Sequence, residues 1–477
     1  MYSARDSLTK IIATIGPASN NRETLHKMIL EGLDVCRLNF SHGTYQDHEK
    51  TLNLIRELNL ELNANVAILA DLQGPKLRIG EIEKNSLELK EGDIIQFTTE
   101  KCTGTTERIY MSYAQFPIDV MTGDIVLVDD GKIRLSVTDT NRKDTVTLKV
   151  LNGGILSSRK GVNLPDTKIS LPSLTEKDIG DVQFILKHDV QWIALSFVRS
   201  VNDMVGLKDV ITRAGKNVKV IAKIEKPEAV QNFDEILEQS DGVMIARGDL
   251  GVETPFDKVP LLQKELVRKC ITKAKPVIIA TQMMEGMIMN LLPTRAEATD
   301  VSNAVLDGAD AVMLSGETSV GKYPVEVIRN MQKVVNSTES SGFYLQHDHQ
   351  PDTNSEYFIA DSVCYNACRM AEFIGATGIV VFTYSGGTVL KIASYRPGVK
   401  IFAFTSDDQV KKQLNLVRGV EVFPVDTKTD IHTAVNQAWQ TLKGAGLVKP
   451  GDRQVVVAGI PMEKREPVNM LFISTVD

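Results

Sequence analysis

Eight short aliphatic runs recur through the first two thirds of the chain, each closing on polar or charged residues: 10–17 (KIIATIGP), 35–42 (VCRLNFSH), 66–74 (VAILADLQG), 192–198 (WIALSFV), 218–225 (VKVIAKIE), 242–249 (GVMIARGD), 276–283 (PVIIATQM) and 311–318 (AVMLSGET). Near-continuous apolar runs fit strands buried on both faces, as in a parallel sheet. Helix-like stretches separate most of them. One spans 20–32, where Asn20 or Asn21 can cap and Gly32 can terminate; another spans 294–308, just after Pro293. Eight strand–helix units predict a (β/α)8 barrel built from residues 1–74 and 172–340.

The spacing breaks once. Residues 75–171 carry alternating stretches at 94–99 and 145–150, and an Asp130-Gly131 hairpin signal between 125–128 and 132–137. This segment is expected to be a small all-β domain, a β-barrel inserted after the third strand, serving either as a lid over the catalytic rim or as passive decoration. A polar connection follows at 336–355, and the strand–helix alternation resumes over 355–477 with apolar runs at 378–383, 400–405, 420–425, 454–460 and 470–476. That is a separate C-terminal α/β domain with a mostly parallel sheet.

The 477 residues are 43% hydrophobic and 24% charged, ordinary for a soluble globular protein of several domains. A net charge of −7 argues against general nucleic-acid binding. No apolar run is long enough to span a bilayer and the start lacks a signal-peptide pattern, so a cytoplasmic protein is expected, with its five cysteines buried and reduced.

In such a barrel the strand C-termini form the active rim, and here they carry Arg37, Asn39, Ser41, Asp71, Lys223, Glu225, Arg247, Asp249, Thr281, Ser315 and Glu317. Period-two alternation puts Lys223 and Glu225 on one side, as a simple ion pair or as part of a site for anions and a divalent metal. Asp249 follows one strand later, within Arg247-Gly248-Asp249-Leu250-Gly251, whose glycines permit close backbone approach to an anion. Two carboxylates suit Mg2+, and the scarcity of His and Cys at this rim argues against zinc or iron. Arg37 can grip phosphate oxygens, while His42 reads equally as a packed loop residue.

The segments RLNFSHG, DLQGPKLR, KGVNLP, AKIE, MIARGDLGVE, ATQMME, PTRAE and MLSGETSVGKYP, in this order and spacing, resemble the pyruvate kinase family from about residue 9 to about residue 418. The resemblance implies transfer of a phosphoryl group from phosphoenolpyruvate to ADP, giving pyruvate and ATP. It implies Mg2+, with Mn2+ as an alternative, on Glu225 and Asp249. Lys223 and Arg37 would handle the phosphoryl group; Ser196, Gly248, Asp249 and Thr281 would line the substrate pocket; Arg78, Lys160 and Asn39 would serve the nucleotide; and Thr281, Ser315 and Glu317 would lead a proton to the enolate. Many members need K+ in a pocket matching Asn39, Ser41, Asp71 and Leu72. Here Lys76 stands where those members have glutamate, and Leu72-Gln73 where they usually read Thr-Lys, so independence of K+ is expected.

The family resemblance extends to a C-terminal effector domain and to a homotetramer. The turn Thr383-Tyr384-Ser385-Gly386-Gly387-Thr388 is the candidate phosphate site for a sugar phosphate or AMP. The other effector loop reads PMEKREP at 461–467, where Lys464 and Arg465 favour a phosphate and Glu463 and Glu466 oppose it, so fructose 1,6-bisphosphate in particular is not indicated. Two alternatives stand beside the kinase: a phosphoenolpyruvate- or pyruvate-handling lyase on the same barrel, and a non-catalytic relative of the family.

Overall fold

The computed structural model describes residues 7–343, 349–425, 430–462 and 466–477. Eight parallel strands, Lys10–Thr14, Val35–Asn39, Ala67–Asp71, Trp192–Leu195, Lys219–Ile224, Gly242–Ala246, Val277–Ala280 and Ala311–Leu314, close into a barrel in which each pairs with the next and the last with the first. They are called the first to eighth barrel strands below. Every one lies inside one of the eight apolar runs. Helix signals also act as written: Asn21 accepts from the Thr24 N–H to cap Arg22–Glu31, Gly32 ends that helix at φ +125°, and Thr294 forms a capping box with Glu297 at the start of Arg295–Leu306.

The barrel interior is filled by Ile12, Leu69, Trp192, Ile221, Met244, Ile278, Met313 and their neighbours, and this cluster includes Leu416 from the C-terminal domain. Leu416 ends a short 3-10 turn, Leu414–Leu416, and is 1% exposed. It therefore packs with the barrel's own interior. Polar contacts between the two domains surround it. Asp310 accepts Arg396 across the domain boundary (2.7 Å) while also capping Val277 N–H, and Asn415 donates to the Asp34 carbonyl. Both acids precede barrel strands, so the C-terminal domain closes the barrel at the end opposite the rim.

The inserted segment has its own hydrophobic core around Phe97, Phe116, Leu135 and Leu148. A β-barrel was expected there. The segment forms a six-stranded sheet, ordered Val162–Asn163, Ile125–Val128, Ile133–Thr140, Thr145–Asn152, Ile94–Thr98, Arg108–Tyr110, with a separate ribbon of Leu87–Leu89 and Gly154–Leu156. Its two edge strands are only two and three residues long and do not pair with each other; single bridges, Arg78 to Gly161 and Ile79 to Met111, span the gap. The expected hairpin forms at residues 129–131, where Asp129, Asp130 and Gly131 all take positive φ.

The C-terminal sheet has order Val420–Pro424, Lys400–Thr405, Gly378–Phe382, Arg453–Ala458, Met470–Thr475, parallel except for the last strand. All five cysteines are free thiols. Four are buried, but Cys102 is partly exposed, because it lies in an irregular stretch of the insert outside its core.

Candidate active site

Side chains alternate along a strand, so Lys223 and Glu225, two apart at the end of the fifth barrel strand, project together into the barrel mouth. The Lys223 ammonium meets three partners: Ser196 Oγ at 2.7 Å, Glu225 Oε1 at 2.8 Å and Asp71 Oδ1 at 3.2 Å. The Ser196 contact is a hydrogen bond and the two carboxylate contacts are ion pairs. Burial works against its charge, but Asp71 and Glu225 outweigh that and push its pKa up, so Lys223 stays charged.

Asp71 is the hinge of the cluster. It also takes the Arg37 guanidinium (2.7 Å from Nε), and Arg37 reaches on to Thr14 Oγ1 at 2.8 Å. Burial opposes ionisation of Asp71, yet Lys223 and Arg37 together hold its pKa below the usual carboxylate value. Glu225 is pushed the other way, by burial and by the neighbouring Asp249 charge, against the pull of Lys223. Its second oxygen accepts the Phe197 N–H at 2.7 Å. Two acidic groups crowding one another beside a buried cation are what a divalent ion would relieve, so the donor set fits one. Among the described residues no group of three or more His, Cys, Asp and Glu side chains gathers as a metal site.

Asp249 sits in the first turn of a short helix, Arg247–Glu253, that starts immediately after the sixth strand. The Gly248 N–H is not free as the glycine pattern suggested. It donates to Thr281 Oγ1 at 2.7 Å, because Thr281 turns back toward it. Thr281 and Gln282 take φ of +71° and +56°, a conformation a β-branched residue adopts at a cost of about 1–3 kcal/mol and that tends to mark functional positions. Arg247 forms a two-pronged pair with Asp300 and braces the turn. Glu317 is buried with its oxygens on the Ser315 N–H (2.7 Å) and the Met284 N–H (3.2 Å), tying the seventh and eighth strand ends together.

The two junctions of the inserted domain run side by side through the Arg78–Gly161 bridge. Arg78 donates to the Arg159 carbonyl, and Lys160 pairs with Asp129 at 2.8 Å. Ser196 Oγ donates to the Leu72 carbonyl (2.7 Å), and Asn39 Oδ1 accepts the Ser41 N–H. Lys76 is exposed at the mouth. Burial, then Arg78, Lys76, Arg37 and Lys177, hold the His42 pKa down, so these cations share one neighbourhood.

Sequence reasoning missed several members. Lys177 donates to the Phe40 carbonyl (2.7 Å), between Asn39 and Ser41, but in sequence it is an ordinary i,i+4 partner of Asp181. Thr14 closes the first strand and gave no motif. Lys226, Glu253 and Asn163 form a buried junction between barrel and lid that only tertiary structure assembles.

The cavity left at the mouth between lid and barrel is about 20 Å3, lined by Lys76, Phe197, Asp249 and Glu253 among others. A larger one, about 750 Å3, lies between the C-terminal domain and the barrel, with Thr383, Ser385, Gly387, Thr388, Lys391 and Lys275 on its walls. Gly386 caps the helix Gly387–Ser394 at φ +86°, and its N–H donates to Thr383 Oγ1. Glu463, Lys464 and Arg465 of the second expected effector loop lie outside the described residues.

Two family models match the chain: pyruvate kinase, barrel domain, over residues 6–328, and pyruvate kinase, alpha/beta domain, over residues 361–474. Among similar proteins, the pyruvate kinase of Mycobacterium intracellulare is 42% identical over 465 residues, covering 97% of each chain. That of Geobacillus stearothermophilus is 40% identical over 470 residues, covering 98% of this chain and 80% of the relative. A crystal structure of a pyruvate kinase from Cryptosporidium parvum superposes with a TM-score of 0.92 at 36% identity, over 99% of this chain and 97% of that one.

Proposed function

The chain belongs to the pyruvate kinase family, and from that premise we propose how its own residues carry out the reaction. The activity is phosphoryl transfer from phosphoenolpyruvate to ADP, yielding pyruvate and ATP, as in glycolysis. The observation that carries the residue assignment is the Lys223 ammonium held between Asp71 and Glu225, with Arg37 on the far side of Asp71, at the barrel mouth.

Family membership supports a divalent metal. We assign Mg2+ to Glu225 and Asp249, with Mn2+ as a substitute; when bound it supplies positive charge against phosphoryl and carboxylate oxygens. The rest falls to the protein. Lys223 and Arg37 flank the phosphoryl group in transit and offset its charge, Lys223 by releasing its neutral partner, Ser196, rather than either carboxylate. Ser196, Thr281 and the backbone at Gly248 and Asp249 orient the substrate carboxylate end, the Gly248 N–H exchanging Thr281 Oγ1 for the carboxylate when substrate binds. Asn39, Arg78 and Lys160 hold the nucleotide phosphates. The bond from phosphorus to the enol oxygen breaks as one forms to the ADP terminal oxygen. The enolate then takes a proton at carbon through water ordered by Thr281, Ser315 and Glu317. The lid opens to admit substrates and closes over them, which keeps water from the phosphoryl group in transit.

We further propose that K+ is dispensable. Lys76 carries its charge into the neighbourhood of His42, just past Asn39 and Ser41, and Lys177 on the Phe40 carbonyl adds a second cation there. A phosphorylated effector, a sugar phosphate or AMP, fits the 383–388 turn on the 750 Å3 cavity, and a homotetramer follows the family. No helix among the described residues is long and apolar enough to cross a membrane. The deciding experiment is a coupled assay of pyruvate formation with ADP, with and without Mg2+ and K+, on native-size-fractionated protein. Pyruvate formed without ADP would favour the lyase, and substrate binding without turnover the non-catalytic relative.

A further inference from the structure

The lid meets the barrel through a buried polar junction that the phosphoryl-transfer scheme leaves unused. Asn163, the last residue of the lid's final strand, donates from Nδ2 to Glu253 Oε1 at 2.8 Å. Lys226 donates to the same oxygen at 2.7 Å. Glu253 and Lys226 are 6% and 4% exposed. The other carboxylate oxygen, Glu253 Oε2, is fully buried and has no hydrogen-bond partner. Buried carboxylate oxygens are rarely left so, and such exceptions call for a functional account. Glu253 lines the small mouth cavity together with Asp249 and Lys76, and about 20 Å3 is room for one water.

The connectivity gives the junction its meaning. Glu253 ends the short helix that carries Asp249 in its first turn, four residues earlier. Lys226 directly follows Glu225. Each barrel-side member is thus tied through the backbone to one of the two carboxylates assigned to the metal. On the lid side, Asn163 lies three residues after Lys160. Lys160 is held by Asp129, and the turn at Gly131 faces Val252, beside Glu253, closely enough that a β-carbon at Gly131 would touch it. A simple ion pair needs neither a lid partner nor a spare oxygen.

We propose that Asn163, Glu253 and Lys226 form the clasp that docks the lid, with Glu253 the positioning residue that couples lid closure to the placement of Asp249 and Glu225. The clasp rests on the metal assignment made above. Its release loosens the nucleotide phosphate groups on the lid and the metal carboxylates on the barrel together.

The test uses the full-length enzyme. Asn163→Ala removes the lid-side bond and leaves the Lys226–Glu253 pair intact, so no buried charge is stranded. The Mg2+ concentration for half-maximal rate and the KM for ADP should both rise about tenfold, the loss of one hydrogen bond to a charged group, with the thermal midpoint unchanged. Glu253→Gln, which keeps an acceptor oxygen for Asn163, should give a shift of about threefold in both. The double variant should match the larger single effect, since both act on one contact. Unchanged Mg2+ and ADP dependence in Asn163→Ala overturns the clasp, as does a fall in kcat that only tracks a lower melting point, or strictly additive single effects. Parent enzyme indifferent to divalent metal would instead overturn the metal assignment, leaving the ADP response to judge the clasp.

Discussion

Replacing Lys223 by methionine tests the reaction scheme most directly. The ammonium stands among two anions, Asp71 and Glu225, and shares Asp71 with one other cation, Arg37. Methionine fills a similar length but leaves one cation facing two carboxylates. Asp71 keeps Arg37 and Glu225 keeps the Phe197 N–H, so each retains one strong partner. Breaking a buried pair outright costs about 3–5 kcal/mol, and the surviving partners put the expected loss at or below the low end of that range. The barrel should remain folded. Turnover is a different matter, because the charge of the moving phosphoryl group loses its nearest preorganised cation. Loss of such a donor costs about 2.7–4 kcal/mol of barrier, a fall in kcat of about 10²–10³. Since Lys223 is proposed to act on charge in transit, KM for phosphoenolpyruvate should move by less than about tenfold. Steady-state rates from the lactate dehydrogenase-coupled assay, at saturating ADP and Mg2+, with a melting curve as the folding control, make the measurement. A folded variant within tenfold of parent kcat would refute the role given to Lys223.

Other expectations follow from the same geometry. Lys76→Glu should convert the enzyme to one whose rate depends on added K+, whereas the parent should keep its rate in K+-free buffer; a rate indifferent to K+ in both would remove Lys76 from that pocket. Asp249→Asn should raise the Mg2+ needed for half-maximal activity more than it raises KM for ADP, read from metal titrations after chelation. Leu416→Ala should destabilise the protein by about 2–5 kcal/mol although it lies outside the catalytic domain's sequence, visible as a lower denaturation midpoint; a neutral result would mean the barrel floor repacks without it.

The strands were legible because burial on both faces writes continuous apolar runs, and all eight barrel strands fall within them. Lys223 and Glu225 were legible for a related reason: alternation fixes their common side without any tertiary knowledge. The Gly248 amide was misread, since local sequence shows a glycine but not the Thr281 hydroxyl, 33 residues on, that occupies it. The bridging of the lid's two sheet edges by Arg78 and Ile79 was not legible, because single bridges write no strand-length alternation into the sequence. Lys177, Lys226, Glu253 and Asn163 carry no local mark. Their roles arise from residues as far as 137 positions apart meeting in space, where charge and spacing along the chain say little.

Leu416 makes the division into a barrel and a C-terminal domain incomplete. A barrel cut away at residue 340 would lack one side chain of its own interior, so an excised catalytic fragment is expected to aggregate or fold poorly rather than to act as an unregulated enzyme. The same side chain ends the turn begun by Leu414, which packs under Gly386 at the head of the candidate effector turn. One three-residue turn thus reaches from the floor of the barrel to the foot of the 383–388 turn through apolar side chains alone.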